Sequence, residues 1–299
     1  MPSICTRVLN CVLWVAGLVA ADCALAVPPC ENLFPDTTRG FVSAPNSKHL
    51  TEEFNKTQVG QLLKDPVMKP FAEDLRRQFD ERWSNVRERL GLSLDDFRGV
   101  PSGEVAVGLI QVGPDKVALA MVCDITGHEE QATALMQKVT ATLAKQGATK
   151  RSAELAGVPA QVFDLPRAHD RDIDRPEQTS VWVQRKDVLI AGDHVATIEG
   201  ILARLNGKKS ACLADVASFQ AVMKRCQKDA GKVTPQARWY VQPLGYIEIM
   251  RIVRRERAQR KGKSLLEVFK SQGFAAVQGV GGFIDFNADK MQVVHRTAI

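Results

Sequence analysis

The sequence predicts an α+β fold, a mostly antiparallel sheet built from hairpins, with helices packed on one face. Three observations lead to this prediction. Apolar segments typical of strands come in pairs, and turn residues such as those at 113–115 (Gly-Pro-Asp) join them. Segments with apolar residues at steps of three and four, typical of helices, separate the pairs. The chain is 45% hydrophobic over 299 residues, which is enough to form a sizeable core.

Residues 1–26 have the features of a cleavable secretory signal peptide. Arg7 is the single charge before the apolar run Cys11–Ala21, and Ala24–Ala26 (Ala-Leu-Ala) supplies the small residues of a cleavage site. The run is short against the ~20 residues that a membrane-spanning helix needs. We therefore expect an exported chain that starts at Val27, lacks an integral membrane segment, and resides in the periplasm or cell envelope.

Four of the seven cysteines follow the predicted signal peptide, which is too few for a disulfide scaffold in a chain of this length. Cys123 lies on an apolar strand face, so we expect a buried thiol that packs as a small hydrophobic residue. Cys212 and Cys226 flank a predicted helix ~16 Å long. A disulfide needs a Cα separation of about 4.4–6.8 Å, so no bridge is expected between them.

The predicted elements begin with an extended tether over residues 27–36, because three prolines and no periodicity occur there. A strand follows at Thr37–Ser43. A long helix is predicted from Pro70 to Gly91, since proline fits the first turn and glycine the end of a helix. Its core-facing stripe is expected to comprise Phe71, Leu75, Phe79, Trp83, Val86 and Leu90.

The middle of the chain predicts a central hairpin, Gly103–Val112 with Lys116–Ile125, because both faces of its strands are apolar. Thr126–Glu129 reads as a capping box that opens a helix ending at Gly147. The remaining predicted elements repeat this order of hairpins and helices: strands Thr149–Leu155 and Pro159–Leu165, hairpin Thr179–Ala191, helices Asp193–Leu205 and Asp215–Cys226, strand Arg238–Gln242, helix Pro243–Lys261, a short helix at Ser264–Glu267, and hairpin Phe274–Phe286 with Lys290–Thr297.

Two organisations of residues 37–299 stay open at this point. These residues form either one globular region or two similar lobes of about 37–167 and 179–299, since the hairpin–helix order occurs in each half. The sequence ends at Ile299 within a predicted strand, so we expect a chain truncated at its C-terminal side.

The stretch Thr38–Pro70, with the motif at 58–71 (Gln-Val-Gly-Gln-Leu-Leu-Lys-Asp-Pro-Val-Met-Lys-Pro-Phe), resembles a family of exported planctomycete proteins of unknown function. A later unit also resembles this family: Val188–Asp193 (Val-Leu-Ile-Ala-Gly-Asp) is followed by a helix and then by Leu213–Phe219 (Leu-Ala-Asp-Val-Ala-Ser-Phe). The likeness covers most of the mature chain. The motifs that carry the likeness are structural, and the resemblance implies no catalytic residues.

The weak metal candidate is the acidic loop with Asp170, Asp172 and Asp174, because alternate carboxylates begin a calcium loop. Arg175 stands where that loop needs glycine, and Val181 where it needs glutamate. A solvated loop with compensating charges is therefore the favoured interpretation, and no metal is expected.

Three other motifs lack a part that their chemistry needs. His128-Glu129 resembles the start of a zinc-protease helix, but Ala132 replaces the second histidine. Residues 207–210 (Gly-Lys-Lys-Ser) lack the upstream glycine of a phosphate-binding loop, and the glycines at 279–282 open no helix, so they indicate a bulge or close packing. No cofactor is expected.

The basic run is the strongest charge feature. Seven cations against Glu256 give +6, which equals the formal charge of the whole chain. The candidate anion-binding residues are Arg254, Arg255, Arg257, Arg260 and Lys261. The favoured alternative is a helix whose apolar side is core and whose cations complement the helix dipole; the expected core side is Leu244, Ile247, Met250 and Val253.

These observations favour an exported, non-catalytic envelope protein with a binding or structural role. An exported hydrolase with a spatially assembled site is the first alternative, and binding of a polyanion or anionic surface through residues 251–263 is the second. The expected partner is an anionic envelope component. Nucleic acid is not expected, because no aromatic residues interleave the charges.

Overall fold

The computed structural model describes residues 27–82, 90–93, 95–166, 178–254 and 272–299. Within these ranges the chain forms ten strands and seven α-helices. The strands are β1 Thr38–Ala44, β2 Val105–Gly113, β3 Lys116–Asp124, β4 Thr149–Leu155, β5 Val158–Asp164, β6 Thr179–Arg185, β7 Val188–Gly192, β8 Ala237–Val241, β9 Val280–Asn287 and β10 Gln292–Ala298. The helices are α1 Ser47–Lys56, α2 Gln58–Leu62, α3 Lys69–Arg82, α4 Glu129–Lys145, α5 Val195–Leu205, α6 Ala217–Ala230 and α7 Pro243–Arg254.

All ten strands belong to one antiparallel sheet in the order β10-β9-β8-β1-β2-β3-β7-β6-β5-β4. The predicted α+β class and the hairpins β2–β3, β4–β5, β6–β7 and β9–β10 are therefore confirmed. Strand β7 lies between β3 and β6, and β8 pairs with β1, so strands from both halves of the chain share this sheet.

The helices contact both faces of the sheet, whereas the sequence predicted one face. Alternate residues of β3 enter different hydrophobic clusters, with Ala120 and Val122 in the first and Met121 and Cys123 in the second. Helices α5 and α6 complete the first cluster and α4 completes the second. Successive side chains of a strand point to opposite faces, so a strand that is apolar on both faces needs cover on both.

The N-terminal segment is part of the core, so the predicted extended tether over 27–36 is wrong. Residues 30–32 form a short 3₁₀-helix, and Cys30, Leu33 and Phe34 are all at most 1% exposed. The Phe34 ring meets the Phe41 ring edge to face, with 5.5 Å between centroids. Three prolines interrupt this segment, so it has no periodicity from which its burial could be predicted. Its two adjacent large apolar residues, Leu33 and Phe34, nevertheless anchor it in the core.

A charge cluster fixes the same segment to the sheet. The Arg238 guanidinium on β8 donates to both carboxylate oxygens of Glu31, each at 3.2 Å, and to Glu104 Oε1 at 3.0 Å. The backbone N–H of Cys30 donates to the other oxygen of Glu104 at 2.9 Å. Each of these acidic groups has a partner inside the cluster, which indicates a structural role.

Three helices differ in detail from their predictions. Helix α3 begins at Lys69, one residue before the predicted start, but Phe71 is 52% and Leu75 45% exposed, so these two stripe residues are not core. Helix α4 has His128 at its N-cap position, with no capping hydrogen bond from its side chain, and the Thr126 hydroxyl donates to Asp124; the predicted capping box is therefore wrong. In α7 the fully buried side chain is Ile249, which lies beside the predicted core side.

Glycines 281 and 282 on β9 mark close packing, as one of the two alternatives predicted. A Cβ at Gly281 would lie 2.6 Å from the Trp239 carbonyl oxygen, and one at Gly282 would lie 2.1 Å from the Arg296 carbonyl oxygen. The β9 pairings with β8 and β10 run without a register shift, so no bulge is present there.

Candidate anion-binding pocket

Several candidates from the sequence lie outside the described residues. They are the predicted signal peptide at 1–26, the acidic loop with Asp170, Asp172 and Asp174, and the cations Arg255, Arg257, Arg260 and Lys261. Arg254 ends helix α7, and its side chain is not described. The functional predictions made for these residues stay predictions.

Within the described ranges, no group of three or more His, Cys, Asp or Glu side chains could hold a metal ion. The same ranges contain no helix that is long and apolar enough to cross a membrane. The four cysteines that follow the predicted signal peptide are buried free thiols. Burial raises the pKa of the Cys123 thiol far above its ordinary value, in agreement with its predicted role as a small core residue.

The structure instead brings cations together at the C-terminal end of α5. Helix α5 ends in a Schellman motif, in which Gly207 adopts a left-handed conformation with φ of 88°. The Gly207 N–H donates to the Arg204 carbonyl, and the Lys208 N–H donates to the Ala203 carbonyl. Backbone N–H groups thus satisfy carbonyls at the helix end, so the lysine side chains are not needed to cap them.

Residues 207–210, together with Asn32, Arg204 and Asp215, line a cavity of about 520 Å³ that is open to solvent. Three cationic side chains, Arg204, Lys208 and Lys209, and one carboxylate, Asp215, contribute to its wall. The formal charge of the lining is therefore +2. The cavity is shallow and most of its lining residues are exposed, so it can contact one side of a small ligand or of one unit of a larger ligand.

Arg204 is the fixed cation of the cavity. Its Nη2 donates to the Ala211 carbonyl at 2.9 Å, and its Nη1 lies 3.5 Å from the Leu33 carbonyl. Its Nε is buried and has no hydrogen-bond partner among the described residues. The guanidinium thus keeps one position, whereas Lys208 and Lys209 are exposed and free to adjust to a ligand.

Asp215 is oriented by the short 3₁₀-helix Leu213–Asp215. Its Oδ2 accepts from the backbone N–H of Cys212 at 2.9 Å and from the Cys212 thiol at 3.1 Å. The backbone hydrogen bond from Cys212 holds the pKa of Asp215 below its ordinary value, so the carboxylate is charged at neutral pH.

The N-terminal segment contributes Asn32 to the lining of the cavity. Asn32 lies there, two residues before the anchor Phe34. The Phe34 carbonyl accepts from the Leu213 N–H at 2.9 Å, and Pro35 forms a β-bridge with Cys212. These contacts place Asn32 and Asp215 on one cavity although they are far apart in the chain.

This pocket was not predicted from the sequence. Residues 207–210 were considered there only as an incomplete phosphate-binding loop, and residue 32 was assigned to a tether. The local signal was a glycine followed by two lysines, which predicts a helix end as readily as a binding loop. Arg204, Asn32 and Asp215 join that loop only through the fold.

Neither the family models nor the curated proteins or solved structures compared with this chain match it, so the likeness to exported planctomycete proteins stays a prediction from the sequence.

Proposed function

We propose that this chain is an exported, non-catalytic binding protein of the cell envelope, and that it binds an anionic ligand at the pocket formed by residues 204–215 and Asn32. The observation that carries the proposal is the convergence of Arg204, Lys208 and Lys209 on one open cavity with a lining charge of +2. Attraction of this kind raises the local concentration of anions and their rate of association.

The state of the three cations supports this proposal over a purely structural role. Backbone hydrogen bonds already close the end of α5, and two carbonyl contacts orient Arg204. The fixed guanidinium needs little reorganisation when an anion enters, whereas the two lysine side chains can move to meet the anion at a cost in rotamer freedom. All the lining residues follow the predicted signal peptide, so the pocket is compatible with a chain that is cleaved after Ala26.

The test is titration calorimetry of the full chain with a defined heparin oligosaccharide in low salt. Replacing both pocket lysines, Lys208→Gln with Lys209→Gln, is expected to weaken binding about tenfold or more, since each lost charge contact contributes on the order of 1 kcal/mol. Wild-type affinity is expected to fall as salt rises from 0.1 to 1 M, because the screening length shortens from ~10 Å to ~3 Å.

The matched control replaces two exposed lysines of α6, Lys224→Gln with Lys228→Gln, which removes the same charge from another surface. This variant is expected to bind as the wild type does. Equal loss of affinity in both double variants would show that net charge and not the pocket drives binding, and unchanged affinity in the pocket variant would refute the assignment.

A further inference from the structure

We infer that the anion recognised at this pocket is an acidic saccharide unit, a ligand that carries hydroxyl groups beside its acidic group. This inference rests on the proposed function and adds the class of ligand to it. Three cations alone fit any anion. The other polar side chains of the lining, Asp215, Asn32 and Ser210, narrow the class of anionic ligand that fits.

Asp215 is the first of these side chains. Among the described residues, two hydrogen bonds are donated to its carboxylate, and Oδ2 accepts both of them. Oδ1 is therefore left to accept from a ligand. An ionised carboxylate only accepts hydrogen bonds, and it repels any anionic oxygen brought against it. A ligand group that donates, such as a hydroxyl, satisfies it, and a charge-assisted hydrogen bond of this kind is a strong one.

Asn32 and Ser210 are two further lining side chains that can form hydrogen bonds with ligand hydroxyls. The Asn32 amide offers two donors and an acceptor, and the Ser210 hydroxyl offers both functions. Both residues are exposed and line the same cavity as the three cations. Groups that both donate and accept match ligand hydroxyls, which also do both.

Bare polyanions fit this lining less well. A polyphosphate presents acceptor oxygens alone, so it gains from the three cations but leaves Asp215 facing negative charge. Like charges repel at short distance, so Asp215 lowers the affinity for such a ligand. An acidic sugar avoids this cost because its hydroxyls can face Asp215 and its acidic group the cations.

The experiment compares three probes by titration calorimetry on the full chain at low salt. They are a galacturonic acid trimer, tripolyphosphate and maltotriose, which carry acid with hydroxyls, acid alone and hydroxyls alone. The uronate trimer is expected to bind most tightly, although tripolyphosphate carries more charge. Asp215→Asn is expected to weaken uronate binding about fivefold and to strengthen tripolyphosphate binding by a similar factor.

Asparagine keeps an acceptor for the Cys212 N–H, and Asn32→Ala, at an exposed position, provides a second variant if Asp215→Asn folds poorly. Asn32→Ala should weaken uronate binding and leave tripolyphosphate binding unchanged. The saccharide inference would be overturned if tripolyphosphate bound as tightly as the uronate trimer or more tightly, and if Asp215→Asn changed the affinities for both probes in the same direction. Anion binding at the pocket would then still stand. Absence of binding to both anions would overturn the proposed function as well. Vesicles that carry a glucuronosyl lipid, compared with the free trimer, then separate a membrane source of the sugar from a soluble polysaccharide.

Discussion

Truncation of Phe34 tests whether the N-terminal segment is core or tether. The ring is fully buried, packs edge to face on Phe41 at 5.5 Å, and lies 2.5 Å from the point where a Cβ on Gly108 would be. Phe34→Ala therefore opens a cavity that the surrounding sheet cannot fill. Such substitutions cost about 3–5 kcal/mol, a large share of the ~5–15 kcal/mol by which domains are stable.

The assay is urea denaturation followed by tryptophan fluorescence, with Trp182, which is fully buried, among the reporters. Val233→Ala is the control, because Val233 is 45% exposed and its truncation should change the free energy of unfolding by at most about 0.5 kcal/mol. A change below about 1 kcal/mol for Phe34→Ala would refute the docked segment and restore the tether.

Three further predictions follow from charge and processing. Burial raises the pKa of Asp285 above its ordinary value, with Glu53 adding to the effect, so ionisation of this carboxyl opposes folding as pH rises. Asp285→Asn should therefore raise the free energy of unfolding at pH 7 and change it less at pH 4. The same gain at both pH values in urea melts would contradict this. If the basic run binds a polyanion, changing Arg254, Arg255, Arg257 and Lys261 together to glutamine should abolish retention on heparin, whereas elution of the wild type near physiological ionic strength and an unchanged variant would favour a solvated helix. N-terminal sequencing of protein from the envelope fraction should begin within two residues of Val27, and recovery of intact Met1 from the cytoplasm would contradict export.

The strand pairs could be predicted from the sequence because each is a local event. A turn of Gly, Pro or Asp between two apolar runs determines the hairpin whatever surrounds it, and β2–β3 pairs as predicted with Leu109 opposite Leu119. The order of the strands could not be predicted, since no local signal specifies that β7 lies beside β3 or that β8 lies beside β1.

The pocket was beyond prediction for the same reason. Arg204 meets the Leu33 carbonyl across 171 positions of the chain, and only the docking of Phe34 brings Asn32 near the loop at 207–210. Periodicity also misled where an amphipathic pattern lacked a buried partner. Phe71 and Leu75 follow a helical stripe, yet both are about half exposed, because periodicity reports the face of a helix and not what covers it.

The position of β1 in the sheet has a consequence for the order of folding. Ser43 on β1 pairs with Arg238 on β8, 195 positions later, so the centre of the sheet stays open until most of the chain is present. Pairings this distant carry a large loop-closure cost and slow the folding of a domain. We propose that this chain is exported, and delayed closure around β1 would lengthen the interval in which it is unfolded and able to pass through an export channel.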